Sequence, residues 1–326
     1  MGSKIKKVLS VGLILVLIST LMASSAKEAV AQGDVSTPKK VPLLPKMERL
    51  RVATTTSLYD TGLWSYLEPM FEQKYGVELD IVYAGTGIAL QYGKRGDVDV
   101  LTIHDRVRED KFIREGYGVN RRCIAYNYFL IAGPESDPAG IKGMLPEDAF
   151  KRLMEEGKKN PEKAKFISRG DNSGTHAKEK AIWLKAGYEY ESVQKSGSWY
   201  VEAGRGMGPT LLMASEMQTY TLTDKGTFLA YKGNLKLIPL VEKGKILLNV
   251  YAALAVNPEK HPKVNVKMAN NLINFLISDE VQRLIGEYGV ETYGMQLFTP
   301  CGGGKCKEIG CPTWEECAKP AEWPIK

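Results

Sequence analysis

The chain has 326 residues, of which 44 % are hydrophobic and 25 % charged, enough for two hydrophobic cores rather than one. Its formal charge of +6 falls to +3 once residues 1–31, with four lysines and one glutamate, are set aside. That mild balance, with no basic stripe interleaved with aromatics, argues against a nucleic-acid surface.

Lys4, Lys6 and Lys7 precede an apolar run from Val8 to Ala23, and Ala29-Val30-Ala31 offers a small-residue cleavage site. Residues 1–31 therefore read as a secretory signal peptide, which predicts an extracytoplasmic or periplasmic location. Ser10, Gly12, Ser19 and Thr20 interrupt the run, which is short for a membrane span, and no nearby cysteine offers a lipid anchor. Residues 32–47, with Gly33, Pro38, Pro42 and Pro45, read as a flexible leader.

The first strand, Leu50 to Ala53, runs into Thr54-Thr55-Thr56-Ser57 and, past Gly62, a helix from Leu63 to Tyr75. A second, Leu79 to Tyr83, runs into Gly85-Thr86-Gly87 and a helical Ile88 to Tyr92. Asp97 to Ile103 alternates and then turns apolar, a buried strand ending at His104-Asp105. Two long apolar strands follow, Cys123 to Ala132 and Leu247 to Val256, and between them lies a third hydroxyl-rich turn. There the strand Ala164 to Ile167 feeds Ser168-Arg169-Gly170-Asp171-Asn172-Ser173-Gly174-Thr175-His176 and a helix to Lys185.

Helix N-termini carry unsatisfied N–H groups at the positive end of the helix dipole, so such turns suit an oxyanion. Arg169 adds a planar, permanently charged fork, and Ser173 and Thr175 add neutral donors. A plainer reading also fits: Asp171 or Ser173 caps the helix while Arg169 pairs with Asp171. Three such turns imply helix N-termini converging at the carboxyl ends of parallel strands, where open α/β sheets bind ligands. The two long strands suggest crossings between two α/β lobes. The expected layout puts lobe one at residues 48–125 and 255–300, lobe two at 126–254, and a cysteine-rich tail at 301–326.

These words resemble the TupA family, the tungstate-binding components of ABC transporters, within the two-lobed periplasmic binding proteins. The likeness rests on Thr54 to Ser57 with Gly62-Leu63, Gly85-Thr86-Gly87 with Ala89-Leu90, Gly96 to Leu101, and Tyr126-Asn127 with Gly133-Pro134. It continues through Asp137-Pro138, Phe166 to His176, Gly204, Gly206-Met207-Gly208, Thr210-Leu211, Tyr220 to Asp224 and Gly226-Thr227. The resemblance implies a type II periplasmic-binding fold, two α/β lobes joined by a two-strand hinge with the ligand cleft between them. It further implies a receptor that captures tungstate, with molybdate open, and hands it to a membrane permease and its ATPase. A monomer without cofactor or metal is expected. Carried over by position, the oxyanion contacts fall on Thr55, Thr56, Ser57, Thr86, Arg169, Ser173, Gly174 and Thr175. Backbone N–H groups of Gly206-Met207-Gly208 are further candidates.

Tungstate is a dianion without a proton at neutral pH, so it needs donors and has no use for a carboxylate. Phosphate is the rival reading, since the phosphate-binding family resembles the Arg169 to Thr175 stretch and Asp105 could accept the proton of monohydrogen phosphate. A hydrolase is the remaining alternative. Gly174-Thr175-His176-Ala177 is similar to the histidine word of subtilisin-like proteases, yet no matching nucleophile word occurs. The glycines of a phosphate loop are mis-spaced at Gly87 and Gly93-Lys94. With only His104, His176 and His261, a histidine-built metal site is not expected, and His176 with Glu179 reads as a solvated helix face. The Arg-Gly-Asp tripeptides at 95–97 and 169–171 read as turn chemistry.

Beyond Pro300 the family likeness stops. Cys301, Cys306, Cys311 and Cys317 suggest two disulfides with three possible connectivities, the alternative being a metal knuckle, in an appendage of little weight for global stability. Cys123 is the odd one, expected as a buried thiol.

Overall fold

A computed structural model describes residues 47–301, 310, 313 and 315–324. The signal peptide, most of the leader, and Cys306 and Cys311 lie outside these residues. The elements in order are β1 (Glu48–Thr55), α1 (Thr56–Asp60), α2 (Leu63–Tyr75), β2 (Val77–Ala84), α3 (Thr86–Arg95), β3 (Val100–Ile103), α4 (Arg106–Arg114) and β4 (Gly118–Pro134). Next come α5 (Pro146–Lys159), β5 (Phe166–Ser168), α6 (Gly174–Lys185), α7 (Tyr190–Gln194), β6 (Tyr200–Glu202), α8 (Met207–Met217), β7 (Tyr220–Asp224) and α9 (Lys225–Tyr231). The rest are β8 (Leu237–Val241), β9 (Leu248–Val256), α10 (Val266–Ile277), α11 (Asp279–Glu287), α12 (Val290–Tyr293), β10 (Thr299–Pro300) and α13 (Glu315–Ala318).

The strands run in the order β2-β1-β3-β9-β4-β7-β5-β6, with β8 and β10 pairing β4 off this path. β1 pairs in parallel with β2 and β3, and β5 in parallel with β6 and β7, whereas β9 and β4 run antiparallel to their neighbours. The result is two mostly parallel sheets joined through the long β4. In the first lobe, alternation along the strands sends Leu50, Val52 and Val100 to one face, under Leu67 and Phe71 of α2 and Leu272 and Ile273 of α10. It sends Ala53, Leu101 and Ile103 to the other, under Ala89 and Leu90 of α3 and Phe112 of α4. The second lobe repeats the scheme, with Phe129, Ile131 and Phe166 facing α5 and α6, and Leu130, Ala132 and Ile167 facing α8. Sheets covered on both faces require runs that are apolar on both faces, as the β4 and β9 sequences provide.

Three expectations change. Ala252–Ala255 of β9 already pair with β3, so the first sheet takes in β9 upstream of residue 255. His176 and Glu179 are buried at 4 % and 1 % exposure, so they belong to no solvated face. The tail is no loose appendage. Arg106 and Arg121 both hold Glu316, at 2.7 and 2.5 Å, and Arg122 donates to Lys319 O at 2.5 Å and Pro320 O at 3.0 Å. Ala321 enters the first-lobe core, and Cys301 and Cys317 pack with Cys123 and Tyr126. Cys317 is disulfide-bonded, and Cys123 is fully buried.

Candidate functional site

Helices open at the carboxyl ends of β1, β2, β5 and β7, as their sequences dictate: a side chain that can cap ends β1 and β7 and follows β5, and glycine follows β2. Thr55 caps α1, accepting from Leu58 N at 3.4 Å; Ser173 caps α6, accepting from His176 N at 3.2 Å; Asp224 caps α9, accepting from Thr227 N at 2.9 Å. Gly85 precedes α3 in extended conformation.

Glycine 174 marks where these turns meet. A Cβ there would lie 2.8 Å from His104 Cε1 and 3.1 Å from Thr86 Oγ1, so only hydrogen allows the N-terminus of α6 this close to the end of β3 and the start of α3. A Cβ at Gly85 would touch Asp171 O and Ser173 Cα, each at 3.5 Å. The first-lobe turns therefore meet the arginine turn of the second lobe directly.

Around this junction the hydroxyl groups divide into committed and uncommitted. Among the described residues, Thr86 Oγ1 and Thr175 Oγ1 are buried without a hydrogen-bond partner. Such groups carry a desolvation cost that a ligand oxygen would relieve. Tyr251 lies beside Ser57, Asn127 and Asn249, and its ring is tilted against that of His104, with centroids 4.8 Å apart. By contrast, Thr55 Oγ1 lies 3.4 Å from Ser57 Oγ, and Ser57 Oγ is 3.2 Å from His104 Nε2. His104 Nδ1 meets Asn249 Oδ1 at 2.8 Å, and Asn249 Nδ2 donates to Asn127 Oδ1 at 2.9 Å. With the Asn249 amide so oriented, Nδ1 of His104 carries the hydrogen and Nε2 accepts from Ser57. Burial lowers the His104 pKa to about 4, so the ring is neutral at neutral pH. Ser57 and Thr55 are thus engaged in an internal file, while Thr56 Oγ1 accepts from Arg169 and keeps its own proton to give.

Arg169 is 2 % exposed. Its Nη2 donates to Asp171 Oδ2 at 2.5 Å and to Thr56 Oγ1 at 3.0 Å, and its Nε to Arg205 O at 3.3 Å. Burial presses its pKa down and Asp171 holds it up. Both parts of the plainer reading are therefore present: Ser173 caps, with its own N–H on Asp171 Oδ1 at 3.2 Å, and Arg169 pairs with Asp171. In both Arg-Gly-Asp words the glycine has a positive φ, 73° at Gly96 and 63° at Gly170, and the arginine pairs with its own aspartate. Gly206 lies beside Thr56, and the Gly208 N–H goes to Asp60.

Behind the arginine turn, Glu179 accepts from Ser168 Oγ at 2.6 Å, Tyr200 OH at 2.5 Å and Trp183 Nε1 at 3.1 Å. Burial raises its pKa to about 7. His176 accepts from Asn172 N at 3.0 Å and reaches Tyr190 OH at 2.6 Å, and burial lowers its pKa to about 4. Asp105, the candidate proton acceptor for phosphate, is spent otherwise: it caps α4 through Arg108 N at 3.1 Å and pairs with Arg108 Nε at 2.6 Å. Among the described residues no cluster of His, Cys, Asp and Glu could hold a metal ion.

The sequence reading missed His104, Asn127, Asn249 and Tyr251. His104 carried a usable signal, since it ends a strand like the hydroxyl turns do. The others are polar residues inside apolar strands, a pattern that marks a buried partner without naming it.

A model of the PBP superfamily domain matches residues 26–280. The tungstate-binding protein TupA of Peptoclostridium acidaminophilum is 41 % identical over 299 residues, covering 90 % of this chain and 98 % of that one. The chain belongs to the TupA family. A second family member, TupA of Campylobacter jejuni, is 35 % identical over 70 % of this chain and 83 % of its own. The tungstate ABC transporter structure from Geobacter sulfurreducens superposes with a TM-score of 0.65 at 46 % identity, covering 74 % of this chain and 99 % of that one. TupA from Desulfovibrio alaskensis gives 0.63 at 40 % identity, covering 78 % and 98 %. The TupA family consists of binding proteins, not enzymes, and its fold is the type II periplasmic-binding one, two α/β lobes with the cleft between them. No helix among the described residues is long and apolar enough to cross a membrane.

Proposed function

We propose that this protein is the extracytoplasmic receptor of an ABC transporter and captures tungstate between its lobes for uptake. The observation that carries the reading is the pair of buried, unpartnered hydroxyls, Thr86 and Thr175, at two helix N-termini that meet at Gly174, with the buried Arg169 on the same turn. A naked dianion needs donors in a water-poor cleft, and these turns supply hydroxyls, first-turn N–H groups and one guanidinium. The contacts we assign are Thr56, Thr86, Arg169, Gly174 and Thr175, with Thr55, Ser57 and Ser173 holding the turns in shape. Family membership supports tungstate as the cargo, and molybdate shares its charge and shape. The engagement of Asp105 with Arg108 counts against phosphate, which requires a free acceptor.

The rest of the assignment follows from the same reading. Residues 1–31 direct export and 32–47 form a leader. Residues 48–125 and 252–300 make one lobe and 126–251 the other, the crossing lying where Tyr126–Tyr128 pair with Val250–Leu248. The loaded receptor works as a monomer and docks on a membrane permease driven by an ATPase. Calorimetric titration of the purified protein with tungstate, molybdate, sulfate and phosphate tests the function. Tight binding of the first two and little heat from the others is expected; tight phosphate binding lost in Asp105→Asn would replace this reading with the phosphate one.

A further inference from the structure

We propose that Arg108 is a latch between the lobes that holds the cleft shut and thereby sets how long the anion stays bound. The inference rests on the function proposed above and adds a residue outside the anion's own contacts. Arg108 lies on α4 of the first lobe, and its acceptors are 64 and 65 residues away on the turn that opens α6 in the second. Its Nη1 donates to Asn172 O at 2.8 Å and its Nη2 to Ser173 O at 2.9 Å. Asp105 aims the fork, taking Nε at 2.6 Å while capping the same helix.

The facing turn is shaped to receive it. Asn172 adopts φ 57°, a left-handed conformation that asparagine tolerates better than most residues. Gly87 makes room: a Cβ there would fall 2.8 Å from Asn172 Nδ2 and 3.3 Å from Arg108 Nη1. Gly85, Gly87 and Arg108 thus form one side of a seam and residues 171–173 the other.

The part-buried pair of Arg108 with Asp105 lies within α4 and its cap, so it does not by itself favour either arrangement of the lobes. The bonds to the two carbonyls differ, because they exist only while the lobes are together. Contacts made in one state shift the equilibrium toward that state by their differential strength. Arg108 is 22 % exposed in its side chain, so water can take its place when the seam parts. Interactions of this kind act on dissociation, since encounter with the open cleft does not involve them.

The test uses the full mature protein with Arg108→Ala and Arg108→Lys. Two charge-assisted hydrogen bonds at a partly wet seam correspond to roughly a tenfold faster tungstate dissociation in R108A, with association changed by less than about twofold. Lysine keeps a charge but loses the two-pronged fork, so R108K should fall between. Stopped-flow kinetics read both rates. Hydrogen exchange at residues 172–177 without any anion should be faster in R108A than in wild type. Unchanged dissociation, a loss carried by association, or equal exchange would each overturn the latch. Wild-type protein that takes up no tungstate would sink the proposed function, and the exchange measurement would still decide on Arg108.

Discussion

Thr86 and Thr175 open helices on opposite lobes, and each buries a hydroxyl that has no hydrogen-bond partner among the described residues. Within a folded protein that is a standing cost of about 1–3 kcal/mol per group, and a ligand oxygen at the junction cancels it.

Replacing either threonine with valine keeps the branched shape and removes the hydroxyl. Thr86→Val and Thr175→Val should each weaken tungstate binding by about tenfold, while the melting temperature of the anion-free protein stays level or rises. Calorimetry and thermal scans read the two effects separately. A loss of stability with affinity intact would mean that these hydroxyls serve the fold.

Arg169 divides its donors among Asp171, Thr56 and the carbonyl of Arg205. Arg169→Lys retains charge without the planar fork and should cost about tenfold in affinity, and Arg169→Gln about a hundredfold. If titrations of both variants match wild type, the arginine does no more than fasten its own turn.

Glu179 makes stability depend on pH. Its folded pKa near 7 lies above the ordinary 4.5, so between those values the folded protein holds a proton that the unfolded chain has released. Stability from this group is complete below pH 4.5 and declines as pH rises through 7, by about 3 kcal/mol in all. Buried neutral His104 and His176, with pKa values near 4 in place of 6.5, act oppositely over pH 4 to 6.5, so the difference between wild type and Glu179→Gln is the quantity to measure. Denaturant unfolding of both proteins from pH 4.5 to 8 should show the variant losing less stability with rising pH. Parallel curves would mean that Glu179 stays ionised throughout.

Removal of residues 310–326 strips Glu316 from Arg106 and Arg121 and the carbonyl partners from Arg122. Arg121 keeps Cys123 Sγ at 3.4 Å and Glu109, a buried carboxyl whose pKa burial raises to about 7. Truncation should lower the melting temperature by several degrees, as expected for about 2 kcal/mol in a protein of this size, with tungstate affinity changed by less than about threefold. A melting curve that does not move would restore the picture of an independent appendage.

The fold was legible where local chemistry is decisive. The helix from Leu63 to Tyr75 sits between Gly62 and Gly76, both at positive φ, and its bounds could be read from the glycines and the apolar spacing. The hydroxyl turns were legible for the same reason. The split of their hydroxyls was not, because it depends on His104 meeting Asn249, 145 residues away, and a periodicity reports burial without naming the partner. The tail misled because four cysteines in a Gly- and Pro-bearing stretch suggest self-contained cross-links. Besides the disulfide of Cys317, its anchors are Glu316 and the carbonyls of Lys319 and Pro320, whose partners are arginines on β4 and α4.

Asn127 and Asn249 are register partners on the two strands that join the lobes, and their side chains bond to each other in a fully enclosed setting. The proposed crossing thus carries a polar pair between Tyr126–Val250 and Tyr128–Leu248, and the seam of Arg108, Asn172 and glycine backbone is polar as well. Ile88 and Val107, the apolar side chains beside Gly87 and Arg108, stay 52 % and 76 % exposed with the lobes together. The closure proposed above would hide little hydrocarbon at these two side chains. Its heat-capacity change should be correspondingly small, and capture should keep nearly the same enthalpy across the temperatures at which the organism lives, driven by the ion's oxygens and not by water leaving oil.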